Sequence, residues 1–215
     1  MSHAEHRRAL GTVMRALAAA GLNQGAAGNA SVRVSEGMLI TPTGMKPALL
    51  QDDSHVLMNL DGAPAPGQLS PSSEWHFHAA IYGHRPDIGA VVHVHSPYAT
   101  AVACMRHDIP AFHYMISVAG GDSIRCGDYA LFGTAELSGV VLAALDGRRA
   151  CLLANHGLVA TGETLSAAHD LALAVEDLAH QYCVALQCGG PVLLSEAQMQ
   201  DVLERFKTYG QQVVK

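Results

Sequence analysis

Residues 90–97, with the sequence AVVHVHSP, limit the fold more than any other stretch of this chain. Their β-branched residues favour an extended strand, on which residues two apart point to the same face. His93 and His95 are therefore predicted to project together, while Val92 and Val94 pack on the opposite side. Neutral histidine nitrogens are good zinc ligands, and zinc takes three or four protein ligands. The pair fits half of a zinc site, and it equally fits two polar residues on an exposed edge strand.

Ser96 and Pro97 follow this strand and predict the start of a helix. Serine is a common N-cap, and proline is common at the first helical position. The histidine pair is thus expected at the end of a strand and just before a helix. Proteins of the α/β class tend to place their ligand sites there.

Helix and strand patterns follow one another along the rest of the chain. The predicted helices cover residues 3–20, about 72–83, 97–105, 134–145 and 166–186, and a last helix begins at a capping box of Ser195 and Gln198. The predicted strands cover residues 32–34, 38–41, 111–118 and 151–154. Ser72 or Ser73 is the predicted cap of the second helix, which puts Glu74 in its first turn.

Length and composition narrow the class of protein. A chain of 215 residues with 49% hydrophobic residues can bury a substantial core, and one domain over residues 1–215 is the simplest arrangement. The formal charge of −6, without a block of like charges, argues against nucleic-acid binding and a polybasic membrane patch. The five cysteines contain no C-x-x-C motif, so neither a disulfide framework nor a cysteine zinc site is indicated. We expect a cytoplasmic protein without a signal peptide or membrane span.

Two further residues are candidates for the same metal. His156 follows a short apolar strand and precedes Gly157, at a turn where the backbone can fold close to a ligand. It is the natural third imidazole. Glu74 fits a fourth ligand or an acid/base beside the ion. It equally fits a carboxylate that only complements the helix dipole.

Three short segments are rich in small residues and hydrogen-bond donors: Gly28-Asn29, Thr43-Gly44 and Ser72-Ser73. Glycine lets backbone N–H groups approach an anion, hydroxyls and an amide add donors, and a helix start adds a favourable partial charge. Together these segments fit a phosphate site without lysine or arginine. Each one alone is more commonly an ordinary turn or cap.

Six segments, taken together, resemble the class II aldolase/adducin family, and within it the L-fuculose-1-phosphate aldolase branch. The motifs stand in the family order, and the likeness extends from residue 22 to residue 210. The six segments are GNASVR at 28–33, ITPTG at 40–44, PSSEW at 71–75, VVHVH at 91–95, HYMI at 113–116 and NHGL at 155–158.

This resemblance implies a three-layer α/β/α fold on a central mixed, largely antiparallel sheet, and a homotetramer with active sites at subunit boundaries. It makes His93, His95 and His156 ligands of one zinc ion per subunit, with Glu74 as an acid/base that also touches the metal. The three donor-rich segments match the family's phosphate-binding segments.

Two tyrosines gain roles from the same resemblance. Tyr114 matches a catalytic tyrosine, and Tyr209 is expected on a C-terminal tail that covers an active site. The implied reaction is the reversible cleavage of a ketose 1-phosphate, a sugar phosphate, into dihydroxyacetone phosphate and an aldehyde. Zinc is then a Lewis acid, while Glu74 and Tyr114 carry protons.

The sugar stays open at this point. Asn155 stands where the aldolases often have histidine, and Ala26 stands where threonine can occur. A methylthioribulose-1-phosphate aldolase or dehydratase would share the metal and phosphate sites. The epimerase branch acts on a 5-phosphate, but the segment HYMI resembles the aldolases.

An alternative function, outside the enzymes, is a non-catalytic interaction module, as in the adducin head domains. The complete set of three histidines and a glutamate, named above, argues against it. Metal analysis would separate an enzyme from such a module.

Overall fold

A seven-stranded sheet runs through the computed structural model, which describes residues 3–208. The strands are β1 (Asn29–Val34), β2 (Gly37–Ile40), β3 (Val56–Met58), β4 (Ala90–Val94), β5 (Cys126–Gly127), β6 (Ala150–Leu153) and β7 (Gly157–Gly162). Their order across the sheet is β3-β2-β1-β4-β7-β6-β5. All neighbouring strands are antiparallel except β5 and β6, so the predicted mixed, largely antiparallel sheet is confirmed.

Helices cover both faces of the sheet and complete the predicted three layers. They are α1 (His3–Ala19), α2 (Trp75–His84), α3 (Pro97–Cys104), α4 (Ala135–Ala144), α5 (Leu165–Gln187) and α6 (Glu196–Phe206). The apolar side chains of α1, α3, α5 and α6 share one core with one face of the sheet. Those of α2 and α4 share a second core with the other face. Among the described residues, no helix combines the length and the apolar character needed to span a bilayer.

Strand β4 alternates as its sequence predicts. Val92 and Val94 lie in the core beneath α5, whereas Val91 lies in the core beneath α2. His93 shares the face of Val91 because the two residues are separated by two positions along the strand. His95 is the first residue beyond β4. The end of the strand therefore carries both imidazoles toward the α2 side of the sheet.

The helix starts that flank the histidine strand differ from the predicted caps. Helix α2 begins at Trp75, so Glu74 is its N-cap, and the Ser72 hydroxyl instead accepts a hydrogen bond from the Glu74 N–H at 3.3 Å. Ser96 does precede Pro97 at the start of α3, but its hydroxyl makes no capping bond. The carboxylate of Glu176 on α5 accepts from two N–H groups of the first turn of α3, at 2.9 Å each. A distant carboxylate thus replaces the local serine.

The predicted strand over residues 111–118 is wrong. Residues Tyr114–Ala119 form a 3₁₀ helix, because local groups satisfy its ends. The His113 ring accepts a hydrogen bond from the Met115 N–H at 3.1 Å, and Gly120 ends the helix with a φ of 94°. The capping box at Ser195 and Gln198 is confirmed at the start of α6.

Candidate active site

Four side chains meet at one end of the sheet: Glu74, His93, His95 and His156. Each offers one ligand atom, and these atoms all lie within 4.8 Å of one another. The N-cap position of α2 supplies Glu74, the end of β4 supplies the histidine pair, and the turn between β6 and β7 supplies His156. The structure brings together the four residues that the sequence predicted as ligands, and their binding of a metal stays a prediction.

The hydrogen bonds of His93 decide which of its nitrogens faces the cluster. Its Nδ1 lies 2.9 Å from the carbonyl oxygen of Leu158 and donates to it, because a carbonyl only accepts. In a neutral ring, Nε2 then carries a lone pair. That nitrogen lies 3.0 Å from Nε2 of His95 and 3.3 Å from Oε2 of Glu74. A lone pair against a carboxylate oxygen is repulsive, and a bound cation would make the contact favourable.

The electrostatics of the cluster suit a divalent metal. Burial lowers the pKa of His93 to about 3 and also lowers the pKa of His95, which keeps both rings in the neutral form that metals bind. Burial alone would raise the pKa of Glu74, but its electrostatic interactions with the His93 and His156 rings and hydrogen bonds from His156 and Asn29 hold that pKa far below its usual range. Three imidazoles and one carboxylate form a donor set that zinc favours over magnesium or calcium.

A cleft of about 360 Å³ opens beside this cluster. Glu74, His95 and His156 line one end of it. All six residues of the predicted phosphate segments also line it: Gly28, Asn29, Thr43, Gly44, Ser72 and Ser73. Among the described residues that line the cleft there is no lysine or arginine. Neutral hydrogen-bond donors therefore form this wall, and its binding of a phosphate stays a prediction.

Two glycines shape that wall. Gly28 and Gly44 have φ angles of 75° and 67°, in the left-handed region that side chains rarely adopt. A Cβ atom at Gly28 would lie 2.3 Å from the side-chain amide nitrogen of Asn23. The carbonyl oxygen of that same amide accepts from the His95 N–H at 3.0 Å. Asn23 therefore links the Gly28 loop to the strand that carries the histidines.

Sequence reasoning missed the aromatic part of the cleft. Tyr129 and Phe132 line it while being 53% and 61% exposed, and they lie on a loop between Gly127 and Gly133. Two aromatic residues within a short glycine-bounded loop were the available signal, because rings in solvent commonly mark a binding surface.

Asn155 also lines the cleft, with a left-handed φ of 55°. Its side-chain oxygen accepts from Arg106 Nε at 2.9 Å, and Arg106 is the other non-glycine residue with positive φ among those described. Left-handed residues other than glycine cluster at functional sites.

Of the two predicted tyrosines the structure describes one, and that one lies outside the cleft. Tyr114 is 50% exposed, stacks on the ring of His113 and is not part of the cleft of its own chain. Its ring centroid lies 6.5 Å from that of Phe206 on α6. Tyr209 falls outside the described residues, so its predicted role stays a prediction.

Comparison with known proteins identifies the class of protein to which this fold and this site belong. The chain belongs to the class II aldolase and adducin family, whose N-terminal domain matches residues 8–183. The family predicted from six sequence segments is thereby confirmed.

The relatives of the chain are aldolases. The 5-methylthioribulose-1-phosphate/5-deoxyribulose-1-phosphate aldolase of Rhodospirillum rubrum is 52% identical over 204 residues, which cover 95% of this chain and 92% of that protein. The L-fuculose phosphate aldolase of Escherichia coli is 51% identical over 191 residues, or 88% of each chain. A solved L-fuculose 1-phosphate aldolase is 39% identical, covers 96% of this chain and 100% of that chain, and superposes with a TM-score of 0.92. The prediction of an enzyme of the aldolase class is confirmed.

Proposed function

We propose that this protein is a zinc-dependent aldolase that reversibly cleaves a ketose 1-phosphate into dihydroxyacetone phosphate and an aldehyde. The observation that carries the proposal is the one cleft that joins a cluster of three histidines and a glutamate, of which Glu74 and His93 are buried, to a wall of neutral hydrogen-bond donors. A sugar phosphate presents both groups that such a cleft would bind: oxygens beside the reacting bond and a phosphate at the end.

The anion wall has free donors for the phosphate. The backbone N–H groups of Gly28, Gly44 and Ser73 donate to no acceptor in the described part of the chain. Backbone N–H groups beside positive-φ glycines are a recurrent means of holding phosphate oxygens. The hydroxyls of Thr43 and Ser73 add donors at the exposed side of the wall.

Glu74 is the proton carrier in this proposal. Its lowered pKa keeps it a carboxylate, so in the direction of bond formation it can accept a proton from the carbon of dihydroxyacetone phosphate that bonds to the aldehyde, and after cleavage it returns a proton to that carbon. Zinc, when bound by the three histidines, supplies a Lewis acid for the negative charge that develops on neighbouring oxygens. The buried position of Glu74 keeps bulk water from competing for that proton.

Tyr114 requires a second copy of the chain to reach such a site. It is half exposed and does not line the cleft of its own chain, so we infer that it completes the cleft of a neighbouring subunit in a homotetramer. Mixing inactive Glu74→Gln and Tyr114→Phe chains under conditions of subunit exchange should then restore part of the activity, because some sites would combine two intact residues. No recovery in proven hybrids would place Tyr114 outside the reaction.

The aromatic rim suggests the aldehyde half. Tyr129 and Phe132 offer apolar contact at the open side of the cleft, which suits an aldehyde with an apolar end better than one rich in hydroxyls. The two relatives compared by sequence are named for 5-methylthioribulose, 5-deoxyribulose and fuculose phosphates, all of which end in a methyl or methylthio group.

The function is tested by turnover of four substrates side by side: the 1-phosphates of L-fuculose, 5-deoxyribulose, methylthioribulose and ribulose. We expect zinc-dependent release of dihydroxyacetone phosphate, fastest with one of the three apolar-ended sugars. Glu74→Gln keeps the three histidines, so at saturating zinc it should remain loaded with the metal while turnover falls by about 10²–10⁴-fold. Lack of dihydroxyacetone phosphate from every sugar by the zinc-loaded protein would refute the proposal.

A further inference from the structure

A row of buried polar side chains leads from Glu74 into the core between β1 and α2. The amide nitrogen of Asn29 lies 2.8 Å from Glu74 Oε2, and the amide oxygen lies 2.6 Å from His78 Nε2. His78 Nδ1 lies 2.7 Å from the Ser31 hydroxyl, which lies 2.7 Å from the Tyr82 hydroxyl. All five residues are at most 7% exposed. We call these residues the polar row: Glu74, Asn29, His78, Ser31 and Tyr82.

The polar row forms because the residue spacing along α2 nearly matches the residue spacing along β1. Glu74, His78 and Tyr82 are four residues apart at the start and along one face of α2, a spacing of about 6 Å. Asn29 and Ser31 are two residues apart on β1, a spacing of about 6.7 Å. Because these spacings nearly match, strand and helix residues alternate along the row. The register of β1 on β4 pairs Asn29 with His93, so the row ends at the metal cluster.

The donors and acceptors of the row can be assigned one after another. The Asn29 NH₂ group donates to Glu74 Oε2. The Asn29 oxygen then accepts, which makes His78 Nε2 the donor. Burial lowers the pKa of His78 to about 3, so its ring is neutral and Nδ1 accepts from Ser31. The Tyr82 hydroxyl then donates to Ser31. All four hydrogen bonds therefore point toward Glu74.

We propose that His78 is a positioning residue that holds Glu74 in its working orientation through Asn29. Because His78 Nε2–H fixes the Asn29 oxygen, the Asn29 amide cannot turn over and must present its NH₂ group to Glu74. One carboxylate oxygen, Oε2, is thus tied to Asn29, while Oε1 lies 3.1 Å from His156 Nε2. The proposal rests on the proposed function for the catalytic part of its test.

The position of the row in the core favours this role over simple stability. Phe77 and Ile81 show that the same stretch of α2 packs apolar side chains fully. A buried polar chain is costly unless every member is satisfied, and apolar residues would fill the same space without that requirement. Hydrogen-bonding partners behind a metal site typically change metal affinity or activity by about 10–100-fold when they are removed.

The test compares His78→Leu with His78→Gln in the full-length protein. His78→Leu removes the donor to Asn29, so we expect zinc affinity and kcat each to fall by about 10–100-fold, with a much smaller change in KM. His78→Gln keeps an N–H donor that can reach Asn29, so it should recover most of both quantities. Zinc affinity is measured by competition with a chelator, independently of turnover.

A matched control is Ile81→Val, which removes buried volume from the same helix without touching the polar row. It should lower the melting temperature while leaving zinc affinity and kcat unchanged. The inference is overturned if His78→Leu behaves like this control, or if His78→Gln loses as much as His78→Leu.

Two further outcomes are also decisive. If His78→Leu does not fold, Ser31→Ala takes its place, since it leaves the His78 ring without its partner at Nδ1. A decrease in zinc affinity and kcat supports the inference, and unchanged values overturn it. If the parent protein cleaves no ketose 1-phosphate, the proposed function fails, and the zinc affinities of the variants alone judge the role of His78.

Discussion

The two ends of the cleft are built from different groups. The metal end consists of four side chains that are fixed by β4, by the turn before β7 and by the N-cap of α2, and two of them, Glu74 and His93, are buried. The anion end consists largely of backbone N–H groups and small side chains on loops, shaped by glycines with positive φ. At the metal end the identity of one side chain decides the chemistry. At the anion end the path of the backbone decides it, and no single side chain dominates.

The largest expected effect tests the metal end. His93→Ala should lose bound zinc and more than about 10³-fold of turnover, because only two histidines and one carboxylate remain to hold the ion. Elemental analysis and turnover check this. The control is His84→Ala, which changes an exposed histidine at the end of α2. This variant should keep its zinc and its turnover. Full zinc occupancy in His93→Ala would contradict the assignment of this ligand.

An intermediate effect tests the backbone of the anion end. Gly28→Ala combines a left-handed φ with a Cβ atom placed against Asn23, so it should reduce stability by about 1–3 kcal/mol and raise KM for the sugar phosphate. The matched control is Gly25→Ala, in the same loop, where φ is 64° and no atom lies within 4 Å of the added Cβ. The two variants share the φ strain and differ in the contact.

The difference between these two glycine variants isolates the role of Asn23. Thermal unfolding and KM are compared for both. If Gly25→Ala impaired phosphate binding as much as Gly28→Ala, φ strain alone would explain the result. The contact of Asn23 with the Gly28 loop would then have no role in phosphate binding.

The smallest effect tests a side chain of the anion end. Ser73→Ala removes one hydroxyl and leaves the backbone N–H in place, so affinity for inorganic phosphate should fall by about 0.5–1.5 kcal/mol. Titration calorimetry measures this, with the exposed Ser166→Ala as control. A loss of all phosphate binding would show that the two ends of the cleft depend on side chains equally.

The features of the fold and site that depend on a local sequence pattern are the ones that could be predicted from the sequence. The histidine pair on β4 follows from a local alternation, and His156 follows from a strand before glycine, so both were predicted. The segment 111–118 was predicted wrongly because its apolar residues suggest a strand, while the cap from His113 is a local side-chain contact that the pattern does not include.

Contacts between elements were the least predictable. The polar row depends on the register of β1 against β4 and on the depth at which α2 packs, neither of which is encoded in a local pattern. The Glu176 carboxylate at the start of α3 comes from 77 or 78 residues away. A local search for a cap finds Ser96 instead, although its hydroxyl does not serve as one.

The left-handed backbone at Asn155 limits how the neighbourhood of His156 can evolve. Apart from glycine, asparagine, aspartate and histidine are the residues that adopt this region most readily. Asparagine here and the histidine often found in related aldolases are therefore both compatible with the turn. Only a few residue types fit this backbone, so a saturation library at position 155 would be restricted by the backbone before selection on any sugar began.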